Sequence, residues 1–285
     1  MSRWDKFLLF GLFSLLAACP ASAQTFRVDV AGLGTAIGTT PQALLGGHSN
    51  GPLGSTLDAS AVCDRGILLG KAACQNPISG LTTPQVGPAG GSATIVADDL
   101  IISGPAAPAT INVTLHLFLD GSMSVDALGF YHSRLELSVI VAGQGGSGIL
   151  SMGNPEFFSS GILAGFGPGS GARAINLNLS VPVNQPFSFT ATLAATVGGT
   201  GDGTMVHNAS SNFFDLGGLH FPISGQAATI IGPIDVNGSA APVFTLPAGY
   251  TADSATLNIA NNFWQGSLPT ASKDRSWGYL KDLYR

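Results

Sequence analysis

Apolar and polar residues alternate along much of this chain, in runs as long as typical β-strands. Within residues 110–119, every second residue from Ile111 to Leu119 is apolar, and Asn112, Thr114 and His116 lie between these apolar residues. Because successive side chains of a strand point to opposite sides, this run predicts one apolar and one polar face. The same pattern recurs in three further runs, at 133–141, 174–181 and 187–197.

Less regular strand candidates lie at 26–30, 94–102, 215–221, 242–246 and 256–264. Short strands separated by Gly- and Pro-rich turns predict an all-β protein, an antiparallel two-sheet β-sandwich that is jelly-roll-like with Gly-rich loops. We expect one domain, residues 24–271, in which the glycine-rich segment 143–171 forms long packed loops. Residues 272–285 carry basic and aromatic residues and predict a short C-terminal helix or tail.

The first residues have the pattern of an export signal. Arg3 and Lys6 precede an apolar run at 7–18, and residues 21–23 (ASA) provide the small side chains that a signal peptidase requires. The run is too short to cross about 30 Å of hydrocarbon, which takes about 20 apolar residues. We therefore expect residues 1–23 to be a signal peptide. The mature protein would be secreted or extracytoplasmic, in the periplasm or at the cell surface.

A lipoprotein signal is the alternative at the same place. Residues 16–19 (LAAC) resemble the lipobox of bacterial lipoproteins, in which the cysteine becomes the lipidated first residue. Pro20 follows directly, and the ASA site lies just downstream, which favours ordinary cleavage after Ala23. Only lipidation of Cys19 would anchor the protein to the envelope membrane.

The composition indicates a folded protein and argues against nucleic acid as a partner. Only 9% of the residues are charged and 45% are hydrophobic, so the chain can bury enough apolar surface to fold. Basic residues are sparse until the last thirteen positions, and the net charge is -5. Because nucleic-acid binding depends on clustered Lys and Arg, nucleic acid is not an expected partner.

Two cysteines remain once the signal is removed. Cys63 and Cys74 are separated by ten residues, and an oxidising compartment predicts a disulfide between them. Closing so short a loop would stabilise the fold by about 2–3 kcal/mol.

Two glycine-rich motifs imitate known sites in the wrong context. Residues 47–51 (GHSNG) match the nucleophile elbow of serine hydrolases, and Asp215 and His220 follow in the required order. An elbow lies between a buried parallel strand and a helix, whereas Pro52 follows here, so a glycine-rich loop is the better interpretation. Residues 32–38 (GLGTAIG) imitate a dinucleotide loop without the helix that would hold the pyrophosphate.

One acidic segment has the chemistry of a cation site. Residues 120–124 (DGSMS) follow an apolar strand and precede another, which predicts a hairpin turn. Asp120 and Asp126 could hold a calcium ion there, since carboxylate oxygens are its usual ligands. No other cofactor is expected.

Four segments near the C-terminus resemble exported bacterial proteins of the PEP-CTERM and choice-of-anchor type: 181–187 (VPVNQPF), 212–219 (NFFDLGGL), 246–251 (LPAGYT) and 258–264 (NIANNFW). The Pro-Glu-Pro box, anchor helix and arginine-rich end that define the family do not follow Trp264. The resemblance implies an envelope or extracellular-matrix protein, and it brings no catalytic residues.

The leading functional hypothesis is a non-enzymatic structural or adhesive protein, whose partners are surface polysaccharide or other envelope proteins. A secreted carbohydrate-active hydrolase is the first alternative, with an acid pair drawn from Glu136, Glu156, Asp126 and Asp215. A carbohydrate- or calcium-binding module is the second, and it would expose Trp264 or Tyr131 on a flat face. His132, Arg134 and Glu136 share one face of a strand, which is expected to be solvated.

Overall fold

A computed structural model describes residues 24–50, 56–76, 85–125, 130–153, 156–167, 173–200, 207–214, 217–223, 239 and 241–266. The described residues form β-strands and turns, and none of them is helical. The signal peptide, Cys19 and the tail at 272–285 lie outside the described residues, so these expectations stay predictions. In the part of the chain that is described, no helix is long and apolar enough to span a membrane.

The first ten strands are β1 (Thr25–Val30), β2 (Gly34–Gly38), β3 (Gln42–Asn50), β4 (Thr56–Asp64), β5 (Ile67–Asn76), β6 (Gln85–Ser103), β7 (Thr110–Asp120), β8 (Ser122–Val125), β9 (Phe130–Val141) and β10 (Gln144–Gly153). They are followed by β11 (Phe157–Gly161), β12 (Arg173–Pro182), β13 (Pro186–Thr200), β14 (His207–Phe213), β15 (Gly218–His220), β16 (Phe244–Thr245), β17 (Thr251–Asp253), β18 (Ile259–Ala260) and β19 (Phe263–Trp264).

Two antiparallel sheets contain almost all of these strands. In sheet A the order is β11-β10-β9-β13-β6-β1-β2, and β17 pairs with the end of β6 beyond β1. In sheet B, β3 pairs with β4 and β4 with β5, while β12 pairs with β7 at the other side. The remaining two strands, β18 and β19, form a small hairpin. The prediction of an all-β, two-sheet antiparallel sandwich is confirmed.

Between β5 and β7, sheet B contains strands arranged end to end. β14 and β15 both pair with β5, and they pair in turn with β8 and β7. Only Gly121 separates β7 from β8, so the hairpin turn predicted at 120–124 is wrong. A Cβ atom on Gly121 would lie 2.1 Å from the ring of Phe213, and only glycine lets the chain pass so close to β14. The chain therefore continues along the same sheet.

The core lies between the sheets and follows the alternation of the sequence. In β7 the apolar positions are buried, including Leu115 and Leu117, and the residues between them are more exposed. Ile95 of β6 and Leu193 of β13 supply the opposite side of the same hydrophobic cluster. Removing such side chains from water is the main favourable contribution to folding, at roughly 25 cal/mol per Å² of apolar surface.

Trp264 belongs to this core, which corrects the expectation that it is exposed. Its side chain is fully buried, and its Nε1 donates a hydrogen bond of 3.0 Å to the carbonyl oxygen of Arg65. Its ring centroid lies 6.4 Å from that of Phe221. A buried indole needs a partner for its N–H, and the turn between β4 and β5 provides it.

The two sheets approach closely where glycines face each other. A Cβ atom on Gly91 of β6 would lie 2.1 Å from the carbonyl oxygen of Ser60 in β4. A Cβ atom on Gly70 of β5 would lie 2.7 Å from the carbonyl oxygen of Gly91. Backbone contacts backbone here, and side chains of any size would force the sheets apart.

Several strands are absent from the sequence prediction. β10 and β11 occupy the segment 143–171, where packed loops were expected, and that prediction is wrong. β3, β4 and β5 were also missed; they are rich in Ala, Gly and Ser, and their apolar residues do not alternate. In β4 the last six residues, from Ala59 to Asp64, are all buried, although they point alternately to both sides of the strand. A strand covered on both sides has no reason to alternate.

Candidate functional site

The structure does not form the predicted disulfide. In the register of β4 and β5, Cys63 lies opposite Leu68 and Cys74 lies opposite Leu57. Leu68 and Cys74 are therefore six residues apart along β5, which is about 20 Å in a strand. A disulfide requires Cα atoms within about 7 Å. The prediction is wrong, and both cysteines are free and buried.

Burial also makes these thiols poor nucleophiles. The Cys63 Sγ donates a hydrogen bond of 3.1 Å to the carbonyl oxygen of Thr94, which joins the two sheets. Desolvation raises the pKa of Cys63 strongly and that of Cys74 to about 11. Since the thiolate is the reactive form, neither cysteine has the environment of a catalytic or metal-binding residue.

Asp120, the described half of the predicted calcium site, is a buried residue at the end of β7. It lies opposite Gly218 of β15 and is 2% exposed. Asp126 lies outside the described residues. Among the described residues, no group of three or more His, Cys, Asp and Glu side chains could hold a metal ion. Calcium binding stays a prediction, and its first ligand would be a carboxylate with little access to water.

His220 lies close enough to Asp120 for the carboxylate to influence its pKa. Burial lowers its pKa, and this effect outweighs the opposing effects of the Phe221 carbonyl and the Asp120 carboxylate. Its Nδ1 donates a hydrogen bond of 2.7 Å to that carbonyl. The ring stacks on Phe118, with centroids 5.9 Å apart. Burial therefore disfavours the charged form of His220.

The nucleophile-elbow motif forms an ordinary antiparallel strand. Residues 47–50 belong to β3, whose partner β4 runs in the opposite direction. The loop predicted for this motif is therefore wrong, while its rejection as an elbow is confirmed. His48 Nδ1 lies 2.7 Å from Asp58 Oδ1, across the two strands, and both side chains are exposed. Residues 32–38 likewise form the β1–β2 hairpin and no dinucleotide loop.

The carboxylates proposed for a hydrolase are not brought together where the structure describes them. Glu136 pairs with Arg134 at 2.7 Å on the exposed outer face of sheet A. The backbone carbonyl oxygen of Glu156 accepts a hydrogen bond from the N–H of Gly153, which lies opposite His132, so the Glu156 backbone is placed near that end of β9. His132 and Glu136 are four residues apart along β9, on the order of 13 Å. Asp126 and Asp215 lie outside the described residues.

A different set of polar residues does converge, on the outer side of β7 and β12. In the register of these strands, Thr114 lies opposite Asn178 and His116 lies opposite Asn176. Thr114 Oγ1 donates to Asn178 Oδ1 at 2.8 Å, and His116 Nδ1 lies 2.7 Å from Asn176 Oδ1. His116 Nε2 lies 2.8 Å from the hydroxyl of Thr245 in β16. We call these five residues the amide face.

A cleft of about 620 Å³ opens along part of the amide face: Thr114, Asn178 and Thr245 line it, while His116 and Asn176 form the next pair along β7 and β12. Leu246 and Pro247, which follow β16, form an apolar wall, and Gln144 of sheet A forms part of the rim. The Gln144 amide binds the backbone of Ser180 in β12 through two hydrogen bonds, of 2.5 and 3.0 Å. None of the described residues that line the cleft is charged.

The hydrogen bonds within the amide face leave donors for a ligand. Asn176 and Asn178 use their Oδ1 atoms, and among the described residues their Nδ2 groups make no hydrogen bond. Each Nδ2 group carries two N–H donors. If His116 donates from Nδ1, the Thr245 hydroxyl donates to Nε2 and keeps its own lone pairs for a ligand. The site can therefore both donate and accept hydrogen bonds.

The sequence indicated only part of this site. Alternation placed Asn112, Thr114 and His116 on one polar face, and it placed Asn176 and Asn178 on another. The pairing of the two strands is a property of their register, which alternation does not determine. The strand candidate 242–246 contains Thr245, but its place beside β7 and the cleft wall were missed, because so short and irregular a segment carries no register.

Comparisons with known proteins add no family. No protein-family model matches the chain, and no curated protein matches it. Among solved structures, the chain is similar to "Structure of infectious bursal disease virus Gx strain", with 11% identity over 70% of this chain and a TM-score of 0.18. A similar match to the Gt strain has 11% identity, the same coverage and a TM-score of 0.15. The matches span 57% and 62% of the viral chains, and at these scores they carry no functional argument.

Proposed function

We propose that this protein is an exported bacterial envelope or extracellular-matrix protein with an adhesive role, and that it holds neutral polysaccharide on the amide face. The observation that carries the proposal is the uncharged cleft, in which amide and hydroxyl groups lie beside an apolar wall. The export signal expected at residues 1–23 is consistent with such a location.

The chemistry of the cleft matches that of a neutral sugar. Sugar hydroxyls both donate and accept hydrogen bonds, as do the side chains of Asn, Thr and neutral His. The C–H surfaces of a sugar ring are apolar and can pack against Leu246 and Pro247. An anionic polymer would lose its hydration in this cleft and meet no cation among the lining residues, so it is disfavoured.

Binding without hydrolysis is favoured by the positions of the described carboxylates. Glycoside hydrolysis uses two carboxyl groups about 5–10 Å apart on either side of the bond. Glu136 is held by Arg134 on the opposite sheet, and no Asp or Glu lines the amide-face cleft. The hydrolase alternative would need Asp126 or Asp215 to complete a pair.

Affinity electrophoresis tests the proposal. We expect the mature protein to be retarded in gels that contain dextran or a soluble β-glucan and to migrate normally in gels that contain alginate. Asn178→Ala removes the Nδ2 donors of an asparagine that lines the cleft and should weaken retention about tenfold, equivalent to one or two lost hydrogen bonds. Thr192→Ala, on the outer face of sheet A, is the matched control. Retention by alginate alone, or equal retention of both variants, would contradict the proposal.

The location is tested separately, by mass spectrometry of the mature N-terminus. Cleavage after Ala23 leaves Gln24 as the first residue and predicts a secreted or periplasmic protein. A lipidated Cys19 at the N-terminus would instead show an envelope-anchored lipoprotein. An uncleaved Met1 in the cell fraction would contradict export.

A further inference from the structure

Sheet A ends in two open edges. Within the described residues, β2 pairs with β1 alone and β11 pairs with β10 alone. In an antiparallel edge strand every second residue directs its backbone N–H and C=O away from the sheet. These groups are a template for a further strand.

Neither edge is protected by the residue types of its described strand. Gly34–Gly38 (GTAIG) and Phe157–Gly161 (FFSSG) contain no charged residue and no proline. Soluble β proteins usually protect such edges with lysine, proline or a covering segment. Gly34 and Gly161 have positive φ and the Gly161 carbonyl oxygen already accepts a hydrogen bond from Ala164, so pairing would use residues 35–37 of the first strand and 157–160 of the second.

Each edge also presents a large apolar side chain. Ile37 is 63% exposed and Phe158 is 57% exposed, the two highest values among the large apolar residues that the structure describes. Ile37 lies opposite Arg27 of β1, and Phe158 lies opposite Ser151 of β10. The register across β1, β6, β13, β9 and β10 places both on the outer face of sheet A, at opposite edges.

We propose that copies of this chain associate head to tail, with β2 of one copy pairing with β11 of the next. This pairing continues sheet A from copy to copy and brings Ile37 beside Phe158. Because the two surfaces differ, the contact is heterologous, and it repeats from copy to copy into a filament unless its rotation closes a ring. The proposal goes beyond polysaccharide binding and is independent of it, since the amide face lies on sheet B.

The test uses the mature chain, analytical ultracentrifugation and negative-stain microscopy. We expect linear assemblies that grow with protein concentration. Ile37→Lys and Phe158→Lys each place a charge on one edge and should be monomeric on their own. Phe263→Lys, at another exposed apolar residue, is the matched control and should assemble like the unmodified protein.

Mixing the two lysine variants identifies the geometry. Each variant keeps one open edge of the opposite kind, so an equimolar mixture should form dimers and stop there. Dimers in the mixture also show that both variants are folded. Ile37→Ser and Phe158→Ser, which add no charge, should weaken assembly without abolishing it.

Three results would overturn the proposal. They are a monomeric unmodified protein at every concentration, a mixture that stays monomeric, and dimers of Phe158→Lys alone, which would mean that β2 pairs with β2. Retention on dextran should be the same for Ile37→Lys and the unmodified protein, so a failure of polysaccharide binding would be seen separately.

Discussion

The two outer faces of the sandwich are built by the same rule and present different chemistry. On sheet A, hydroxyl side chains form a row across four strands, from Thr94 through Thr192 and Ser138 to Ser147. Ion pairs such as Arg27–Asp29 lie beside this row. On sheet B, the amide face has no charged lining, and its cleft lies beneath Leu246 and Pro247.

The difference teaches that alternation determines which residues point outward but not the surface that they form. Sheet A presents short hydroxyl side chains and ends at two open edges. On sheet B, Leu246 and Pro247 follow β16, which pairs with β7, and they form one wall of the cleft. A concave surface is suited to enclose a ligand, and open edges are suited to strand pairing. The four variants below alter one or both faces.

The largest effect is expected at Gly91, where the backbones of the two sheets are in contact. Gly91→Ala places a Cβ atom 2.1 Å from the Ser60 carbonyl oxygen, so the sheets must shift. We expect a loss of about 3 kcal/mol in the free energy of unfolding, measured in urea. Gly167→Ala is the control, because its Cβ atom would meet nothing nearer than 4.0 Å. Equal losses in both variants would refute a close contact between the sheets.

The next effect is the pH dependence of stability, which we expect His220 of sheet B to produce. Burial lowers the pKa of His220 on sheet B below its ordinary 6.5, so below about pH 6.5 the unfolded chain binds a proton that the folded chain resists. Stability should therefore fall as the pH drops below this value. His220→Gln should cost about 2 kcal/mol at pH 8, through the bond to Phe221, and should reduce the pH slope. An unchanged slope would exclude His220 as its source.

A smaller effect is expected at the contact that joins the sheets beside the cleft. Gln144→Ala removes both hydrogen bonds to the Ser180 backbone and should cost about 1 kcal/mol. Retention on dextran should also weaken, because Gln144 lines the rim. Gln42→Ala serves as the control, since its amide binds only the nearby Thr40 carbonyl oxygen. Thermal unfolding and affinity electrophoresis provide the two measurements.

The smallest effect is expected on the outer face of sheet A. Arg27 makes two hydrogen bonds to Asp29, and this interaction lowers the Asp29 pKa below its ordinary 3.8. Its stabilisation is therefore present above about pH 3.8 and lost as the pH falls through the lowered value. Arg27→Gln should lower the melting temperature slightly in dilute buffer and not at all in 1 M NaCl. A large decrease in melting temperature that persists in 1 M NaCl would mean that the Arg27 side chain stabilises the fold by packing as well as by its ion pair with Asp29.

Much of the fold could be predicted from the sequence alone. Periodic runs predicted β7, β9, β12 and β13 at nearly their observed bounds, and turn residues predicted the antiparallel sandwich. These features depend on neighbouring residues, because a period of two is a local property of an extended chain. The polar faces that meet at the amide face were predicted for the same reason.

Only the tertiary structure decided which faces and residues meet. The register of β4 and β5 places Cys63 and Cys74 too far apart for the expected disulfide, and the packing of the C-terminal hairpin buries Trp264. Register joins Asn176 to His116, which are 60 residues apart in the chain. Such contacts form between segments that are distant in sequence, and no local pattern encodes their alignment. The alternation of side chains specified the two layers, while packing between them specified the site.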